Sequence, residues 1–115
     1  MGNTHEKLRI KLWIECNTGE SIFGEGQMRI LETIQAQGSI NAAAKALKMG
    51  YRSMWGRLRK MEKRLCKPLL ERHKGGAEGG HSDLTPEALE MIDKFKRLRK
   101  EITNTSEAIF TRIYH

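Results

Sequence analysis

Residues 39–66 read SINAAAKALKMGYRSMWGRLRKMEKRLC, and this stretch decides the fold. Ser39 is a good N-cap, because its hydroxyl can accept a bond from a free N–H in the first turn of a helix predicted over Ile40 to about Leu47. The run Asn41-Ala42-Ala43-Ala44-Lys45-Ala46 leaves that helix a side with almost no bulk, so another helix can cross it closely. Lys48-Met49-Gly50 has room only for a tight turn. Tyr51 to Cys66 then predicts another helix, with Met54, Leu58, Met61 and Leu65 on one inward stripe and Pro68 as its end. Stepping round that helix puts Arg52, Ser53, Gly56, Arg59, Lys60 and Lys63 on the outward side, where nearly every long side chain is cationic.

Upstream, Leu8, Ile10, Leu12 and Ile14 alternate with polar or aromatic neighbours from Lys7 to Glu15, the period of a half-buried strand. Asn17-Thr18-Gly19-Glu20 is a turn, and Ser21-Ile22-Phe23 can return as the second strand of a hairpin. Gly24 and Gly26 break it, after which Met28, Leu31 and Ile34 predict a helix that stops at Gly38 in a left-handed conformation. Downstream, Leu69 to His73 is extended, and residues 75–80 hold four glycines in six positions, which excludes regular structure. Ser82 to Leu84 can pair back as the second strand of a wing. Thr85-Pro86 supplies a capping hydroxyl followed by proline at the first helical position. From there Ala88, Met91, Phe95, Leu98, Ile102, Thr105 and Ile109 recur at steps of three and four, the narrow seam of a short coiled coil.

The expected fold is therefore mainly α with a small β content (α+β): a winged helix-turn-helix with an N-terminal β-hairpin and a long C-terminal dimerisation helix. The winged helix-turn-helix occupies residues 1–85, with the helix-turn-helix at about 39–66 and the wing at about 69–85; residues 86–115 form the dimerisation helix of the same domain. In a homodimer Met91, Phe95, Leu98, Ile102 and Ile109 are the expected contacts.

Charge says where a partner binds. The net charge is +7 over 115 residues, yet residues 39–74 alone hold eleven Lys/Arg against Glu62 and Glu71, a local +9, while the flanks are each slightly acidic. A local excess of this size attracts a polyanion. A recognition helix needs one apolar stripe to hold it and an opposite face to reach base edges and phosphates, which residues 51–66 supply. Arg52 and Ser53, in the first turn, are the expected base readers; Arg59, Lys60 and Lys63 meet phosphates. Gly56, costly in mid-helix by about 1 kcal/mol, suggests close approach of DNA or of another backbone. Ser39 and Tyr51 join the expected DNA-binding set at the two helix starts, and Arg72, His73 and Lys74 join it at the wing base.

Taken together, residues 39–47, Met49, Tyr51-Arg52-Ser53, Trp55, Leu70-Glu71-Arg72, the paired glycines 75–76 and 79–80, and Leu84-Thr85-Pro86 resemble the N-terminal DNA-binding domain of ModE-type molybdate-responsive regulators, with a helix-turn-helix similar to that of LysR-type regulators. The resemblance spans about residues 7–102. It implies a winged-helix dimer on the operators of molybdate transport and molybdoenzyme genes, with molybdate sensed by a separate C-terminal oxyanion domain. A chain ending at His115 leaves no room for that domain, so no small-molecule effector is expected to bind this chain alone. Glu78 and His81 also depart from the more uniformly glycine wing of the family.

Other functions find less support. Tyr51 and Trp55, four apart, read more readily as packing than as base stacking. Cys66, His73 and His81 lie seven and eight residues apart, which matches no common zinc spacing, so no metal or cofactor is expected. The glycines lack the Lys-Ser/Thr of a phosphate loop and no nucleophile sits in a motif, so catalysis is not expected. No apolar run approaches the roughly 20 residues of a membrane span and the N-terminus lacks a signal peptide, which points to the cytoplasm. The expected function is sequence-specific transcription regulation on double-stranded DNA. The alternatives are nonspecific architectural DNA binding and a protein-interaction module on a winged-helix scaffold.

Overall fold

The computed structural model describes residues 6–73 and 81–115. In chain order its elements are β1 (Trp13–Glu15), β2 (Ser21–Gly24), α1 (Glu25–Gln37), α2 (Ile40–Ala46), α3 (Tyr51–Leu65), β3 (Leu70–His73), β4 (His81–Leu84) and α4 (Pro86–Tyr114). β1 and β2 form one antiparallel pair, and β3 and β4 another. This is a winged helix-turn-helix of the α+β class.

The first hairpin is shorter than its alternation suggests. Only Trp13–Glu15 pairs, because β2 is four residues long before α1 begins and offers no edge to residues 7–12. Leu8 and Leu12 are half-buried, but Ile10 and Ile14 are exposed, so the alternation separates no dry face from a wet one within this chain. Trp13 lies opposite Gly24, where a Cβ would sit 2.9 Å from the Trp13 Cβ, so only glycine fits that crossing. Gly26, read as part of the break, instead lies in the first turn of α1.

Helix ends follow local chemistry. Gly38 closes α1 at φ 85° with its N–H donated to the Ile34 carbonyl, and the Ser39 hydroxyl accepts from the Ala42 N–H at 3.0 Å to open α2. α3 stops before the expected proline: Cys66 adopts φ 54° and Pro68 follows two residues later. The Thr85 hydroxyl accepts from the Ala88 N–H at 3.1 Å and donates to the Pro68 carbonyl at 2.8 Å, while its own N–H donates to the Leu69 carbonyl at 3.0 Å. One buried side chain thus starts α4 and fastens it to the link between α3 and the wing.

The core gathers Phe23, the α1 face Met28, Ile30, Leu31 and Ile34, the small Ala43 and Ala44 of α2, Met54, Leu58 and Met61 of α3, and Leu69 and Leu84 of the wing. The alanines let α2 approach both α1 and α3 closely. From β4, the Ser82 N–H donates to the Gly38 carbonyl, joining the wing to the end of α1.

α4 corrects one expectation. Its first half closes the core: Ala88, Ile92 and Phe95 are buried, and Phe95 meets Phe23 edge to face at 5.3 Å. Phe95, expected on the dimer seam, is therefore enclosed by its own chain, and Met91 is half-buried against the same core. The seam rotates out of the core only further along, where Leu98 and Ile109 are exposed. Two exposed ion pairs hold α4 beside α1, Arg99–Glu25 at 3.1 Å and Lys96–Glu32 at 2.6 Å. Beyond them Ile102, expected on the seam, is half-buried and lines a small cleft with Leu8, Ile10 and Leu12; the end of the helix stands out from the body, and the radius of gyration is 17.7 Å, against about 13 Å for a compact chain of similar length.

Candidate nucleic-acid interface

The turn between α2 and α3 is built from backbone bonds: the Leu47 N–H reaches the Ala43 carbonyl and the Met49 N–H reaches the Ala44 carbonyl. Lys48 takes a left-handed φ of 55° to make that reversal. Gly50 enters α3 in extended backbone with no side-chain cap, which leaves the first-turn N–H groups clear of side-chain competition.

α3 separates its faces cleanly. Met54, Leu58 and Met61 point into the core, while Arg52, Ser53, Gly56, Arg59, Lys60 and Lys63 are all exposed. A Cβ on Gly56 would meet nothing within 4 Å. Among the described residues, packing gives no reason for a glycine there. Ser39 is half-buried with its oxygen engaged in capping, and Tyr51 is about half exposed. Arg72 and His73 lie on β3, opposite Ser82 and His81 in the strand register. Their side chains, and Lys74 with the rest of the wing tip, lie outside the described residues.

The two flanks of α3 are fastened differently. On one, the Glu62 carboxylate accepts from the Leu69 N–H at 2.8 Å, so one of the two acids in the cationic segment is engaged at the wing root. On the other, the Arg64 guanidinium donates to the Ser21 carbonyl at 2.9 Å and pairs with Glu20 at 3.4 Å, anchoring α3 to the first hairpin. Sequence reasoning missed this anchor. It also passed over Arg57, which is exposed and lines a shallow cleft of about 160 Å³ with Lys60, Arg64 and Gln27. Both residues sit beside the apolar stripe, so sorting the helix into inward and outward sides discards them.

A cationic helix presented by a tight turn, backed by three apolar residues and flanked by a hairpin, defines the class: a winged helix-turn-helix DNA-reading domain. The model of the bacterial regulatory helix-turn-helix proteins, lysR family, matches residues 26–89, and the chain belongs to that family. Among its relatives, the transcriptional regulator ModE of Haemophilus influenzae is 39% identical over 101 residues, 87% of this chain and 37% of that protein. The molybdenum transport protein ModE of Azotobacter vinelandii is 26% identical over 110 residues, 96% of this chain and 40% of that protein. The chain thus spans well under half the length of these relatives, and it carries a ModE-like DNA-binding domain of a transcription regulator. The crystal structure of ArgP from Mycobacterium tuberculosis shares the fold, with a TM-score of 0.50 over 72% of this chain and 30% of that one, at 17% identity.

Proposed function

We propose that the chain reads operator DNA sequence-specifically as a homodimer, with α3 in the major groove and the wing on the adjacent backbone. The observation that carries this is the exposed row Arg52, Arg59, Lys60 and Lys63 around an unobstructed Gly56, on a helix fixed from behind by the core. Arg52 reads base edges from the first turn, and Lys60 and Lys63 meet phosphates. Replacing Arg52 with Ala should cost roughly 1–3 kcal/mol and relax sequence preference, whereas Lys60→Ala should weaken all sequences alike and lower the salt slope by about one. Binding isotherms on specific and scrambled duplexes at several salt concentrations check this. Equal affinity for both duplexes would favour nonspecific architectural binding instead.

The two ModE relatives, one named for molybdenum transport, suggest operators of molybdenum-handling genes. The 115 residues by themselves bind no molybdate selectively in this reading. An oxyanion needs several converging donors, and the Ser39 and Thr85 hydroxyls already occupy the starts of α2 and α4. Calorimetric titration with molybdate, tungstate and sulfate tests it: micromolar binding of one of them alone, with changed DNA affinity, overturns it.

A further inference from the structure

One side of α3 carries a ladder whose aromatic members the reading above leaves unused. Tyr51, Trp55 and Arg59 follow at four-residue steps, which places them along one side of the helix. The Tyr51 and Trp55 rings meet edge to face at 6.2 Å, and the Arg59 guanidinium carbon lies 5.8 Å from the centre of the Trp55 ring. Trp55 is half-buried and packed on the core, whereas Tyr51 and Arg59 are exposed. A ring fixed from below therefore carries two surface groups. Glu62, on the same side of α3, accepts from the Leu69 N–H, so at its C-terminal end this side meets the wing root.

We infer that Trp55 is a positioning residue for DNA binding, holding the Arg59 guanidinium flat so that its edge meets a backbone phosphate beside the groove. A guanidinium can do both at once, because its face rests on the ring while its N–H groups point outward in the plane. An arginine laid down beforehand also loses less side-chain freedom on contact than one that swings free. This rests on the reading of α3 as the DNA-reading helix.

The test is a double-mutant cycle on the full chain, using a labelled duplex recovered by the wild-type protein from a random-sequence library. Trp55→Leu should weaken binding by about three- to tenfold, and Trp55→Phe, which keeps a ring, should restore most of it. In the Arg59→Ala background, Trp55→Leu should add nothing further, and both single changes should lower the salt slope by about one. Losses that multiply in the double variant overturn the inference, because a purely structural tryptophan acts whatever occupies position 59. Arg59→Lys gives a second arm that leaves the core untouched: it keeps the charge but not the flat face, so wild-type binding by it also overturns the inference. Arg52→Ala is the control. If it and every position-59 variant bind normally, the reading of α3 itself fails; if it binds weakly while the cycle is additive, only the positioning role fails.

Discussion

Cys16 and Cys66 have the same thiol in unlike surroundings. The Cys16 Sγ lies 2.9 Å from the Thr18 hydroxyl, and that hydrogen bond, followed by bonds from the Thr18 and Glu20 backbone, lowers its pKa against the opposing effects of burial and the Glu20 charge. The thiolate fraction of Cys16 is therefore raised at pH values below the ordinary thiol range, and the advantage fades as pH climbs through it. Thr18→Val should therefore slow iodoacetamide labelling of Cys16 at neutral pH, followed by mass spectrometry, and leave the labelling of Cys66 unchanged. At this scale the sequence was most legible where one residue type has one use: Gly38 at φ 85°, the Ser39 cap and Thr85-Pro86 all act as their chemistry requires. Cys66 at φ 54° was not legible, because a left-handed helix end without Gly or Asn carries no sequence mark.

Among the elements, the joint between wing and α4 depends on Thr85. Thr85→Ala removes the cap of α4 and leaves the Pro68 carbonyl without its hydroxyl donor, so it should cost about 2 kcal/mol. Thermal melting would show a fall of several degrees, while Glu87→Ala, an exposed neighbour, should change little. The order of helices and strands could be read because stripes such as Met54, Leu58 and Met61 report directly on burial. Extent was harder. Alternation from Lys7 to Glu15 records which residues are apolar but not whether a partner strand exists, and β2 ends after four residues. The α4 seam misled for a related reason: the same step of three and four serves a helix packed in its own core at Phe95 and one facing outward at Leu98, and only the tertiary fold locates the change. In the candidate interface, exposure of the outward cations was legible from period alone. The Trp55–Arg59 contact and the Arg64 anchor needed distances.

For the whole molecule, a chain cut near residue 86 would lose Ala88, Ile92 and Phe95 from its core, so it cannot test dimerisation. Leu98→Glu with Ile109→Glu can, since both side chains are already exposed. In our reading this pair should leave the melting temperature of the body nearly unchanged, turn a dimer into a monomer by sedimentation, and weaken binding to paired half-sites far more than to one. The protruding helix has a further mechanical consequence. Of its 29 residues, those past the ion pairs at Lys96 and Arg99 extend about 22 Å at the usual rise. A lever of that length converts a tilt of about 10° at the ion pairs into a displacement of about 4 Å at its tip, close to the roughly 3.4 Å step between neighbouring base pairs. Those ion pairs are open to water and weaken as salt is added. In the proposed dimer, the stiffness with which the two reading heads keep their distance, and hence their tolerance for an inserted base pair between half-sites, is thereby tied to ionic strength.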